Sequence, residues 1–156
     1  MRISTLALAV SLGAAGAVAA DVVAPADVVF VDGAIEQSLT GVAGNPEEGA
    51  KVFSSRSMGN CVACHEITTN DAAFPGTVGP MLDGVGERWN EAELRGIVAD
   101  AKKMYEGSVM PSFYKVDGFI RPGDGYTGKA ATDIQPFLSA QQIEDVVAFL
   151  ATLTYE

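Results

Sequence analysis

The sequence predicts an all-α domain whose helices and loops wrap one covalently held group, and three observations carry that expectation. Helix start signals followed by apolar residues at helical spacing occur at Asn45, Asn90 and Ser139. Both cysteines and the single histidine of the chain fall within five residues, Cys61-Val62-Ala63-Cys64-His65. The stretch between Pro111 and Pro136 is rich in Gly, Asp, Pro and Lys and reads as a long loop, of the kind that tends to be functional.

Taken in chain order, residues 1–20 read as a secretory signal. Met1-Arg2 is a short positive start, 6–18 is an apolar run, and Val18-Ala19-Ala20 is a small-residue cleavage site. The run is shorter than the roughly 20 apolar residues a membrane span needs, and Asp21 follows it with no basic stop-transfer residues. About 136 residues remain, enough for one domain. Residues 21–44 form an N-terminal extension, in which a short strand or extended segment is expected up to a turn at Asp32-Gly33. This extension is expected to pack against the helical core or against a partner.

The remainder, 45–156, opens with Asn45-Pro46-Glu47-Glu48. A capping Asn, Pro at the first helical position and acids at the positive dipole end predict a helix. Gly49 and Phe53 lie one turn apart on its face. A second helix begins at Asn90, with Glu93 placed to complete a cap and Leu94, Ile97, Val98 and Ala101 at helical spacing. The last helix opens at Ser139-Ala140-Gln141-Gln142, a capping box, and runs to about Thr152 with Ile143, Val146, Val147 and Leu150 as its stripe.

Between the first two helices lies the chemistry. Cys-x-x-Cys-His is the attachment signature of c-type haem: both thiols form thioethers and the histidine binds iron. On a helical turn, positions i, i+3 and i+4 share a face, so Cys61, Cys64 and His65 can meet one porphyrin edge and its metal. A thioredoxin-type pair is one alternative, but nothing resembling a βαβ unit surrounds the motif; a buried disulfide or a chance cluster in an exported protein is another. A structural zinc site wants four protein ligands, and no second Cys/His pair exists to complete one. Covalent haem in an exported bacterial chain implies the periplasm.

Charge narrows the partners. The formal net charge is −10, and loss of Arg2 with the signal makes the mature chain one unit more acidic. That argues against nucleic acid, whose phosphates need basic patches, and against anionic membrane surfaces, although acidity also serves plain solubility. It suits electron-transfer partners that present positive charge.

With no second histidine, the sixth iron ligand must be methionine or lysine. Met58 lies too near the attachment turn to reach the opposite haem face, and Met81 follows Pro80 on the histidine side. Met104 sits near a helix end beside Lys103. Met110, in Ser108-Val109-Met110-Pro111, is the preferred ligand, since the proline halts any helix and fixes an extended chain. Its soft thioether would raise the reduction potential relative to bis-histidine ligation.

Gly79-Pro80-Met81-Leu82-Asp83-Gly84 resembles the Gly-Pro-x-Leu-x-Gly pattern of class I cytochromes c. That resemblance implies the class I cytochrome c fold for 45–156. It also implies that the Pro80 carbonyl accepts a hydrogen bond from the haem histidine, and that Arg88 stands where an arginine binds a haem propionate. Gly86 and Glu87 depart from the family's usual residues beside it. Trp89 reads as a core tryptophan whose indole N–H could also reach a propionate.

Over nearly the whole mature chain the sequence is similar to the monohaem SoxX family of SoxAX cytochromes. The residues that carry this are 31–41, Gly59-Asn60 with the haem motif, Gly84-Val85 with Arg88-Trp89, Met110-Pro111-Ser112-Phe113-Tyr114, and Glu144-Asp145-Val146-Val147-Ala148-Phe149-Leu150. The similarity implies a heterodimer with a larger SoxA-like haem subunit, acting as an L-cysteine S-thiosulfotransferase that joins thiosulfate oxidatively to a cysteine of a SoxYZ-like carrier. This chain would accept the electrons and pass them to a small acceptor cytochrome, and would not be the site of sulfur chemistry. Two alternatives stay open: a free-standing electron shuttle, and a haem enzyme or gas sensor with an open sixth site.

Overall fold

Asn45 starts the first helix as its side chain dictates, accepting hydrogen bonds from the Glu47 and Glu48 N–H groups. The computed structural model describes residues 21–69 and 74–155; the expected signal segment, 1–20, lies outside the described residues. Four α-helices follow one another: α1 (Pro46–Ser54), α2 (Val85–Arg88), α3 (Glu91–Asp100) and α4 (Ala140–Ala151). Short 3₁₀ turns occur at Pro25–Asp27, Cys61–Ala63 and Ala101–Lys103. Among the described residues, extended pairing is limited to two isolated bridges, Val31 with Ala34 and Gly123 with Ala130. The fold is therefore all-α. No helix of the described residues is long and apolar enough to cross a membrane.

The capping boxes read at Asn90 and Ser139 are both formed, each with its reciprocal side-chain to backbone pair. α4 is the hub, crossed by α1 and flanked by α3 and α2. The α1/α4 crossing is close because Gly49 has no side chain. A Cβ there would stand 2.0 Å from the Asp145 carbonyl oxygen and 2.8 Å from the Phe149 Cβ. One turn on, the Phe53 and Phe149 rings pack with centroids 5.5 Å apart, tilted by 60°. Leu94, Val98, Leu138, Ile143, Val146, Val147 and Leu150 are among the other buried residues of the core.

The N-terminal extension packs on this core. Its expected strand reduces to the single Val31–Ala34 bridge, closed by a tight turn in which Asp32 and Gly33 both take positive φ, 50° and 85°. A two-residue turn followed at once by buried Ile35 and Leu39 leaves no length for a ladder. The extension is tied to the domain by Ile35 N–H on the Ala92 carbonyl (2.9 Å) and by the Tyr114 hydroxyl on the Val23 carbonyl (2.7 Å). A buried ion pair adds to this: Arg95 Nε lies 2.9 Å from Glu144 Oε1, which also accepts from Leu39 N–H at 2.6 Å and Ser38 Oγ at 3.1 Å. Arg95 Nη1 meanwhile donates to the Ile35 carbonyl at 2.8 Å.

Candidate haem-binding site

Asn60 prepares the site by adopting the left-handed region, φ 49° and ψ 35°, which turns the chain sharply into the Cys61–Ala63 turn. Asn is among the few residues that accept this conformation at low cost. The Cys64 and His65 N–H groups then both donate to the Cys61 carbonyl, at 3.0 and 2.9 Å. Cys61, Cys64 and His65 thus share a single turn of the chain. All three are half-buried, and the two thiols are not joined. Burial pushes the Cys61 thiol pKa up to about 12, with the neighbouring Cys64 adding to the rise. Burial thus favours the neutral form of this thiol.

The segment after the motif doubles back alongside it. Gly76 N–H donates to the Val62 carbonyl, Gly79 N–H to the Cys64 carbonyl and Leu82 N–H to the Glu66 carbonyl, at 2.8, 2.8 and 3.0 Å. That pairing delivers the Pro80 carbonyl to His65 Nδ1 at 2.8 Å. A carbonyl oxygen can only accept, so Nδ1 carries the proton and Nε2 presents its lone pair. Gly79 lies flat against the imidazole, where a Cβ would stand 2.3 Å from Cε1. The histidine is thus fixed in tautomer and in ring orientation, as a metal-bound histidine requires.

Arg88 is exposed and reaches back over this same segment. Its Nη1 donates to the Asp83 carbonyl at 2.8 Å and to the Tyr155 hydroxyl at 3.3 Å, and Nη2 donates to the Met81 carbonyl at 3.3 Å. Asp83 in turn accepts from Thr68 N–H at 3.0 Å and Thr68 Oγ1 at 2.5 Å. These bonds clamp the two residues on either side of Leu82 and so steady the loop that aims Pro80. Sequence reasoning did not foresee this clamp, because its partners are joined through backbone carbonyls that leave no residue-type signal. Trp89 is partly buried and packs edge-on to Tyr105 with centroids 6.2 Å apart.

The four methionines among the described residues are distributed distinctly. Met58 Sδ accepts from Gln142 Nε2 at 3.5 Å. Met81 is half exposed. Met104 abuts the N-terminal turn, the Gly33 Cβ position lying 2.7 Å from its Cβ, and neighbouring Lys103 stands over the Phe30 ring at 5.6 Å. Met110 is partly buried against the core cluster. Its N–H donates to Ser108 Oγ at 3.3 Å, and its carbonyl accepts from Lys102 Nζ at 2.5 Å.

The residues present fit a covalent haem. Two unpaired cysteines and an oriented imidazole share one turn, yet no three His, Cys, Asp or Glu side chains among the described residues converge on a single ion. Donors spread along an edge suit a porphyrin rather than a bare metal. Apolar side chains also stand in solvent beside each key position: Val78 and Met81 flank Gly79-Pro80, and Val109 precedes Met110. A large flat apolar group would cover such side chains.

A family model described as "Cytochrome c" matches residues 46–154. Among solved structures, the chain is 62% identical to a chain of "Crystal structure of SoxXA from P. pantotrophus", with a TM-score of 0.81, over 85% of this chain and 98% of that one. Comparison with curated proteins gives no match. The chain belongs to the cytochrome c family, as an all-α class I cytochrome of the SoxX type.

Proposed function

We propose that this chain is the electron-accepting monohaem subunit of a periplasmic SoxAX-like complex, which oxidatively conjugates thiosulfate to a cysteine of a SoxYZ-like carrier. The observation that carries it is the imidazole of His65, held at Nδ1 by Pro80 beside Cys61 and Cys64, in a chain 62% identical to one found in a SoxXA structure. Haem c supplies reversible one-electron chemistry at iron when bound. Cys61 and Cys64 would anchor it, His65 would ligate it through Nε2, and the Pro80 carbonyl, accepting from Nδ1–H, would hold the ring's tautomer and aim. Both cysteines are consumed by attachment and no other thiol exists in the chain. The sulfur chemistry therefore belongs to the larger haem subunit, and a small cytochrome takes the electrons onward.

Met110 is the proposed sixth ligand. Support comes from where its rivals lie: Met104 and Lys103 are engaged with the N-terminal extension, Met58 with Gln142, and Met81 stands on the histidine-side loop. Arg88 binds carbonyls with both terminal nitrogens, so its part in haem binding is to steady the Pro80 loop, with any propionate contact additional. The signal at 1–20 would direct export, and the acidic mature surface would meet basic patches on the acceptor.

The test is co-expression with a SoxA-type subunit. Co-purification at equal stoichiometry, with haem reduction by thiosulfate only when that subunit and the carrier are both present, is the expected result. A chain that stays monomeric beside the larger subunit, and is reduced no faster with it, would return the protein to the free-standing shuttles.

A further inference from the structure

Asp100 is a buried carboxylate, 4% exposed, at the C-terminal end of α3, outside everything assigned above. A charge in that position needs partners, and it has several. Ser112 Oγ donates to its Oδ1 at 2.7 Å, Lys102 N–H donates to the same oxygen at 3.3 Å, and Lys115 Nζ lies 3.6 Å from Oδ2. These partners matter for where they sit. Ser112 and Lys115 follow Met110 in the chain, and Lys102 is the residue whose ammonium holds the Met110 carbonyl. Beside them, Tyr114 N–H donates to the Ala99 carbonyl at 3.1 Å. The Met110-Pro111-Ser112 run is thus laced to the end of α3 and to the 3₁₀ turn that follows it, on both sides of the proline. Asp100 is the point where the lacing converges.

We propose that Asp100 is a positioning residue for the Met110 thioether, holding the loop that carries it against the end of α3; this rests on the reading of Met110 as the iron ligand. Pro111 removes a backbone N–H and stiffens the chain, but a stiff segment can still swing as a unit about its ends. A hydrogen bond from Ser112 and an ion pair from Lys115 to a fixed carboxylate, with a hydrogen bond from Lys102, remove that freedom. A ligand two residues from an anchored serine is pre-organised, so less ordering is needed to keep sulfur on the metal.

The test uses the full-length holoprotein, with a Lys51→Ala surface variant as control. Three readouts serve: the red-edge ferric absorption of iron–methionine bonding, affinity for added imidazole, and thermal stability. Asp100→Ala should keep its covalent haem but bind imidazole roughly ten- to hundredfold more tightly, the factor a hydrogen bond to a charged group commands. Asp100→Asn, which retains an acceptor for Ser112 and Lys102, should fall between it and the wild type, and Ser112→Ala should move the same way by less. A lower melting temperature with unaltered imidazole affinity and ferric band would make Asp100 merely structural and overturn the proposal. If Asp100→Ala does not accumulate, Ser112→Ala and Lys102→Met decide, and wild-type imidazole affinity in both overturns it equally. Met110→Ala separates the two readings. Loss of its band alongside an unaffected Asp100→Ala defeats the positioning role alone, whereas a band that survives Met110→Ala defeats the ligand assignment itself.

Discussion

His65 is fixed by two neighbours of opposite character: the Pro80 carbonyl, which sets its tautomer, and Gly79, whose missing side chain lets the ring lie flat. The first was expected only through the resemblance of Gly79-Pro80-Met81-Leu82-Asp83-Gly84 to class I cytochromes c. The second was not, since close approach to a ring is a distance and leaves no pattern beyond the glycine. Gly79→Ala sets a methyl 2.3 Å from the imidazole, so either ring or loop must shift, at a cost of about 1–3 kcal/mol. Lower haem content per polypeptide and a lower melting temperature are the expected outcome; wild-type values for both would show that the ring is not wedged. Asp83 supports the same loop from the other side. The Thr68 hydroxyl, then the Thr68 N–H and the Arg88 charge, hold its carboxyl below the ordinary value of 3.8. A carboxylate whose folded pKa is depressed adds stability that is complete above its unfolded value and lost as pH falls through the folded one. The acid limb of stability should therefore lie below pH 3.8 for this group. Thr68→Val should move it upward, as carboxyl titration by NMR would reveal; an unmoved Asp83 titration would remove Thr68 from the account.

At the scale of elements, three of the four helices were legible because their caps are written in residue types: Asn45, Asn90 with Glu93, and Ser139 with Gln142. The fourth, α2, escaped. It is one turn long, starts at a left-handed Gly84 with no side-chain cap, and is too short to show a period. The strand expected before Asp32-Gly33 shrank to a bridge because the apolar residues that follow turn straight into the core. Helix crossings are encoded more faintly still, here by a single glycine. Gly49→Leu forces a branched side chain into a gap where even a Cβ would meet the Asp145 carbonyl at 2.0 Å. α1 and α4 must then separate, disturbing the Phe53–Phe149 contact one turn away. A loss of about 3 kcal/mol is expected by denaturant titration, at the upper end of ordinary overpacking. Near-wild-type stability would mean that the crossing adjusts freely and is not what fixes the fold.

The whole molecule is held together by a node that no local pattern announces. Arg95 and Glu144 are 49 residues apart in sequence, and Glu144 meets Leu39 across 105. Arg95 and Glu144 each sit on a helix whose apolar stripe explains it without them, so charge at these positions reads as a solvated face until the chain is folded. Once folded, Arg95 spans the Glu144 carboxylate with Nε and Nη2 and reaches the Ile35 carbonyl with Nη1, joining α3, α4 and the N-terminal extension at one point. Such a pair adds little net stability against an apolar replacement, because desolvation offsets attraction; what it adds is geometry. That distinction makes opposite demands on single and double variants. Arg95→Met leaves Glu144 buried with only the Leu39 N–H and Ser38 hydroxyl to answer it, and should cost about 3–5 kcal/mol. Adding Glu144→Leu removes the stranded charge and should recover most of that loss. The extension, however, should remain loose in the double variant, because a leucine in place of the glutamate cannot accept from the Leu39 N–H or the Ser38 hydroxyl. Urea titration reads the first pair of effects, and amide hydrogen exchange at residues 35–39 reads the last. Recovery of stability with exchange still fast at those amides would establish the node as a fastener of the extension. Full recovery of both would assign the docking to Ile35 and Leu39 packing alone.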